Sequence, residues 1–278
     1  MKTITVGTDG SDNATIAMRW AMAEAEVHDA RLEAILAWSY IDQHHPDGSD
    51  TFDPGYSEAS ARAALAAWVT EAFGRDARIE QRVVLDLPAR ALLEASDGTD
   101  LLVLGARGKG GFQGLLLGSV SERVAQLATR PIAVVRAPAP VRGGRVVVGI
   151  DGSARSSGAL RWAAAEAGAR DADLDVVHAW RDSAMAMAPA FAAIPDDATL
   201  EVSGRVVLDT ALADPALLEI RVHAYLVRDR PAPALIERAS EAGLLVVGTR
   251  GRSRVAGALL GSVSRQLLHH APCPVVVI

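Results

Sequence analysis

One spaced set of glycines and a serine occurs twice in the chain. Gly105-Ala106-Arg107-Gly108 is followed by nine residues and then Gly118-Ser119-Val120-Ser121. Gly248-Thr249-Arg250-Gly251 is followed by nine residues and then Gly261-Ser262-Val263-Ser264, at an offset of 143 positions throughout. Each set comes after a short apolar run, Leu101-Leu102-Val103-Leu104 or Leu244-Leu245-Val246-Val247. The chemistry open to such residues is anion binding. Backbone N–H groups reach a phosphate where no side chain obstructs them, which favours glycine. A helix that starts at Ser119 or Ser262 turns its free amides and a hydroxyl toward the anion, and its dipole assists. Arg107, Lys109, Arg250, Arg252 and Arg254 add positive charge to the two loops. Taken singly, such glycines form turns and such serines cap helices. The same pattern twice, each time behind an apolar strand, favours two phosphate cradles.

Other phosphate motifs do not fit. A Walker loop needs Gly-Lys-Ser/Thr, and Gly108-Lys109 runs into Gly110. A dinucleotide fingerprint belongs after the first strand, where Gly7-Thr8-Asp9-Gly10-Ser11 lacks the third glycine. Asp9 and Asp151 end the first strand of each half, close to where an open α/β sheet binds ligands. Each carboxylate is placed to accept from ribose hydroxyls or an adenine amine. Asp-Gly-Ser is equally good turn chemistry, so both roles stand. No general base accompanies the cradles. His28, His44, His45 and His223 lie outside the motifs, and His178 sits in a strand as a packed core histidine. His269 and His270 are matched in the first half by Gln126 and Leu127, which argues against a shared catalytic role.

The elements that must position these loops repeat as well. Ile4 to Ser11 matches Val146 to Ser153, Arg19-Trp20-Ala21 matches Arg161-Trp162-Ala163, and Leu32 to Trp38 matches Leu174 to Trp180. Pro88 to Leu93 matches Pro231 to Ile236, and Pro131 to Val135 matches Pro274 to Ile278. The order is collinear, as duplication requires. Within the first half the pattern predicts strands at 3–9, 32–38, 78–84, 101–104 and 132–135. It predicts helices at 13–28, 57–73, 88–97 and 119–129, with a polar loop over 39–56. Alternation of apolar strands and helices predicts a five-stranded parallel sheet with helices on both faces in each half. The fold expected is α/β, two tandem Rossmann-like domains over 1–138 and 144–278, joined by a Pro/Gly linker. In the second half, residues 184–195 have no clear period and read as a loop before a helix; they form either a pocket lid or a partner surface.

Bulk composition limits the function classes. A length of 278 residues suits two domains of about 140. Net charge is −6, which argues against a sequence-independent nucleic-acid binder. A lone cysteine, Cys273, builds neither a disulfide framework nor a zinc site within one chain, and reads as a buried thiol. No stretch reaches the roughly 18 apolar residues of a membrane span, and the start carries no signal-peptide core. The expectation is a cytoplasmic protein without a membrane association.

The doubled glycine pattern, the aspartate ending the first strand and the closing Pro-x-x-Val-Val strand resemble the universal stress protein family, in its tandem ATP-binding form. The resemblance covers about 1–138 and 144–278. It implies an adenine-nucleotide-binding domain in each half, of the adenine nucleotide alpha hydrolase-like class. It implies that Asp9 and Asp151 contact adenosine, and that the backbone at Ala37 and Ala179 lines the adenine pocket. Gly105, Gly108, Gly118, Ser119 and Val120 would hold ribose and phosphates in the first half. Gly248, Gly251, Gly261, Ser262 and Val263 would do so in the second. Magnesium accompanying ATP would rest on phosphate and water, since no carboxylate cage is evident. The resemblance also implies pairing through the apolar last strands, either between the two halves or in a homodimer. The expected role is a nucleotide-dependent stress sensor or regulator rather than an enzyme. The alternatives are a slow ATPase or nucleotidyl transferase, and a scaffold with vestigial sites. Ile150 stands where the first half has Thr8, and the loops after the second strands differ, so unequal occupancy is expected.

Overall fold

Residues 1–49, 51–75, 77–109, 116–141, 143–180, 196–251 and 260–278 are described in a computed structural model of the chain. Contacts divide it into two units, Met1–Pro138 and Ala139–Ile278. The first holds β1 (Thr3–Gly7), α1 (Asp12–His28), β2 (Arg31–Trp38), α2 (Glu58–Phe73), β3 (Glu80–Leu85), α3 (Pro88–Ser96), β4 (Leu101–Gly105), α4 (Ser119–Leu127) and β5 (Ile132–Val135). The second holds β6 (Arg145–Gly149), α5 (Ala154–Arg170), β7 (Asp173–Ala179), α6 (Asp197–Leu212), β8 (Val222–Val227), α7 (Pro231–Arg238), β9 (Leu244–Val247), α8 (Ser262–His270) and β10 (Val275–Val277).

The strands of the first unit run in the order β3-β2-β1-β4-β5, and every pair is parallel. Those of the second repeat this as β8-β7-β6-β9-β10, again all parallel. The central strands are mainly apolar because helices cover both of their faces. Ile4, Val6, Leu101 and Val103 are fully buried, as are Val147, Val148, Leu244 and Val246. In the first unit α1 packs against α2, and α3 packs against α4.

Helix ends repeat in the same detail. Ser11 caps α1 by accepting from the Ala14 amide at 3.2 Å, and Ser153 caps α5 by accepting from Ser156 at 3.2 Å. Both helices close on an aspartate in the left-handed region, Asp29 at φ 49° and Asp171 at φ 52°. A short polar side chain tolerates that conformation better than most residues do.

This topology sets the ligand edge. Successive connections leave β1 toward β2 on one side and bring β4 to its other side. The carboxyl ends of β1 and β4 therefore form a switch point, as do those of β6 and β9. Register holds the pair level: Val6 lies opposite Val103, and Val148 opposite Val246. The aspartate after the first strand and the glycine loop after the fourth are thereby brought face to face in each half.

Candidate functional site

In the second half the switch point opens into a cavity of about 550 Å³. That volume lies within the range of roughly 300–1,000 Å³ seen for small-molecule sites. Asp151, Ala179, Gly248, Arg250, Gly251, Gly261, Ser262 and Val263 all line it. Every candidate site residue of this half is thus brought to one space.

The glycine loop is held in place by its own backbone and by α8. The Gly261 amide donates to the Thr249 carbonyl at 2.7 Å, and the Ser264 hydroxyl donates to the Gly248 carbonyl at 2.7 Å. Ser264, in the first turn of α8, is therefore the clamp, whereas Ser262 is the first helical residue. Gly261 stands at the cap position and has no side chain to satisfy the first amides of the helix. A helix start without a side-chain cap is an arrangement that can bind an anion. Close approach explains two glycines. A Cβ on Gly251 would sit 2.5 Å from Asp151 Oδ2, and one on Gly261 would sit 3.3 Å from the Thr249 carbonyl oxygen.

Asp151 does form the turn its sequence suits. Its Oδ1 accepts from the Ser153 amide at 3.0 Å, while its other oxygen faces Gly251. Asp9 repeats this, accepting from Ser11 at 3.0 Å. Turn formation and a place at the ligand edge are compatible, because the two carboxylate oxygens serve different neighbours. Arg250 lines the cavity, and its buried Nε has no hydrogen-bond partner among the described residues. A guanidinium at the wall of such a cavity suits an anionic acceptor, a phosphate or carboxylate oxygen being the strongest.

Sequence reasoning missed part of the lining. His178 is buried, as a core histidine should be, yet it also forms part of the cavity wall. Its Nδ1 donates to the Ile150 carbonyl at 2.9 Å, which fixes the proton on that nitrogen when the ring is neutral. Helix α6 adds Leu200, Ser203, Gly204 and Val207. Their signal was the glycine in mid-helix, which costs helix stability and so calls for a packing reason. Arg252, Arg254 and Ala184 to Pro195 lie outside the described residues.

The first half carries the same framework. The Gly118 amide donates to the Ala106 carbonyl at 2.8 Å, and the Ser121 hydroxyl donates to the Gly105 carbonyl at 2.7 Å. Ser119 and Val120 open α4 behind an uncapping Gly118. A Cβ on Gly108 would sit 2.2 Å from Asp9 Oδ2. Differences lie around this frame. The Lys109 amide donates to Asp9 Oδ2 at 2.9 Å, and Arg107 is exposed. Ala37 is buried at the end of β2. Parts of the loop after β2 fold inward: Tyr56 donates its hydroxyl to the His44 carbonyl at 2.7 Å, and His44 is buried beside Trp68 with ring centroids 6.1 Å apart.

The model of the universal stress protein family matches residues 1–136 and 144–278. The chain belongs to that family. It is similar along its whole length to curated relatives with both repeats. Universal stress protein Rv2005c of Mycobacterium tuberculosis is 32% identical, with 99% of this chain and 96% of the relative covered. Universal stress protein Rv1996 of the same organism is 33% identical, with 99% and 94% covered. Among solved structures, a universal stress protein from Archaeoglobus fulgidus shares the fold at a TM-score of 0.68 and 21% identity, covering 99% of this chain and 97% of that one. The universal stress protein described here has no helix, among the described residues, that is long and apolar enough to cross a membrane.

Proposed function

We propose that this universal stress protein binds an adenine nucleotide, with ATP the best fit, and acts as a nucleotide-dependent stress regulator. The observation that carries the reading is Arg250. It lines a cavity whose wall also includes a glycine loop and the start of a helix with no side-chain cap, and its Nε is buried with no hydrogen-bond partner among the described residues. The β- and γ-phosphates would rest on the amides of Ser262 and Val263 and on Arg250. The apolar remainder, including Ile150, Ala179, Trp180 and Val207, suits a purine. Asp151 would accept from the nucleoside. It is the one carboxylate among the described lining residues, so magnesium would be carried by phosphate oxygens and water.

Binding without robust turnover is the form of the proposal. Phosphoryl transfer to water needs a residue that orients the nucleophile in line with the γ-phosphate. Asp151 already holds the Ser153 amide, and His178 holds the Ile150 carbonyl. A cytoplasmic location and assembly as a homodimer accompany this reading as expectations of the family.

The test is to denature purified protein and quantify released nucleotide by chromatography and mass spectrometry, then to titrate nucleotide-free protein with ATP. Retained adenine nucleotide or saturable binding supports the proposal. No binding at millimolar ATP overturns it. Steady-state hydrolysis well above about 0.1 s⁻¹, within the range of ordinary enzymes, would turn the reading toward an ATPase.

A further inference from the structure

Resting on the nucleotide reading, we infer that the second half alone takes the ligand, because α2 fills the first half's binding space with its own side chains. Helices α2 and α6 occupy equivalent places and start at Glu58 and Asp197. Counted from those starts, Leu65 matches Gly204 and Trp68 matches Val207. In the second half Gly204 and Val207 line the cavity. In the first, Leu65 and Trp68 are both buried.

Trp68 spans the elements that border the cavity in the other half. Its indole lies against the loop after β1, where a Cβ on Gly10 would sit 2.3 Å from the ring. The Lys109 amine stands 5.2 Å from the ring centroid. Lys109 belongs to the glycine loop after β4, so a charge expected to meet phosphate is turned onto the indole instead. The Lys109 amide, one of the loop donors, is bonded to Asp9. His44 covers the edge of Trp68, and Tyr56 fixes His44 through both backbone groups of that residue, accepting from its amide at 3.0 Å and donating to its carbonyl at 2.7 Å. Asp9, Lys109 and the purine-side wall thus already have internal partners.

A nucleotide entering the first half must displace Trp68. Removing a buried tryptophan from its packing lowers apparent affinity by about a hundredfold or more relative to an open site of the same chemistry. The expectation of a nucleotide in each half becomes one nucleotide per chain. The gatekeeping pair is Leu65 and Trp68, and the permissive pair is Gly204 and Val207.

Isothermal titration of nucleotide-free protein with ATP, together with photolabelling by 8-azido-ATP and peptide mapping, tests this. The expected result is a stoichiometry of one, with label confined to 144–278. Gly261→Glu should abolish binding. Trp68→Val, alone or with Leu65→Gly, should raise the stoichiometry toward two and add label in 1–138. Two sites in the wild-type protein, or label in the first half, would overturn the inference and leave the nucleotide reading standing. No binding in the wild type would overturn the nucleotide reading itself. If Trp68→Val does not fold, the wild-type stoichiometry and label position still decide the matter.

Discussion

The Trp68 indole stands so close to Gly10 that a Cβ on the glycine would lie 2.3 Å from the ring, and Gly10 holds φ at +75°. Both facts exclude an L side chain. Left-handed backbone costs a non-glycine residue about 1–2 kcal/mol, and forcing bulk into a packed site costs about 1–3 kcal/mol more. Gly10→Ala should therefore destabilise the first half by about 2–5 kcal/mol. Gly152 holds φ at +77° in the second half, so the same change there should carry the backbone share as well. Hydrogen exchange of peptides from each half, measured in increasing urea, separates the two effects.

The His44 side chain gives the first half a pH dependence. Burial is the largest influence and lowers its pKa; Asp42 and Asp9 oppose the shift, while Lys109 and His45 reinforce it. The folded ring is therefore neutral at a pH where the unfolded ring, near 6.5, begins to protonate. The unfolded state binds more protons in that window. Stability from His44 is fully present above pH 6.5 and is lost as pH falls toward the lower folded pKa. Hydrogen exchange over 39–49 should quicken between pH 7.5 and 5 once corrected for intrinsic rates. His44→Asn should remove that component. A wild-type loop with pH-independent protection would contradict the assignment.

Carrying Trp68 into the second half should close the open cavity. Val207 lines that cavity together with Asp151 and Gly251. Val207→Trp should weaken ATP binding by about a hundredfold if the indole takes the position it has in the first half. Circular dichroism would show that the fold is kept. Unchanged affinity with a folded protein would mean that the nucleotide does not use the face of α6.

Ser264 should matter more to the cradle than its place behind Ser262 suggests. Its hydroxyl is nearly buried and donates to the Gly248 carbonyl at 2.7 Å. Ser264→Ala leaves that carbonyl without this donor and should cost about 1 kcal/mol in stability. Gly251→Ala, whose Cβ would meet Asp151 Oδ2 at 2.5 Å, should lower ATP affinity by about tenfold while leaving the fold intact. Thermal unfolding and titration of the two variants distinguish a clamp from a contact.

The cradle was legible because duplication repeated it. Gly248 and Gly261 stand at the spacing of Gly105 and Gly118, Asp151 ends its first strand as Asp9 does, and parallel strands fix their meeting point from order alone. Boundaries followed local chemistry closely. Helix α4 stops at Leu127 rather than at 129 because Ala128 turns extended, at ψ 146°, ahead of Arg130-Pro131. The difference between the halves was not legible in the same way. Trp68 and Val207 become a matched pair only when α2 and α6 are aligned from their starts, and the dissimilar loops before them hide that alignment. His178 reads as core from its strand, and its second role depends on Gly204 leaving space across from it. A Cβ on Gly204 would lie 3.3 Å from the His178 ring, a contact that no pattern along the chain reveals.

Cys273 offers a check on the packing behind the second cradle. It is buried between α8 and β10, and burial pushes its thiol up to about 12. The thiolate is the reacting species, so a thiol with that pKa and no access should be inert near pH 8. A disulfide reagent such as dithionitrobenzoate should find no thiol in the native protein and one per chain in guanidinium. If the native reaction is slow rather than absent, its rate reports local opening of the last strand. ATP should then slow it further, because a ligand that binds only the folded state raises the cost of opening β10; next to that strand, Ile278 accepts through its main-chain oxygen from the Thr249 amide of the glycine loop at 2.8 Å. Native labelling at the rate of a free thiol would show that the strand does not seal the core.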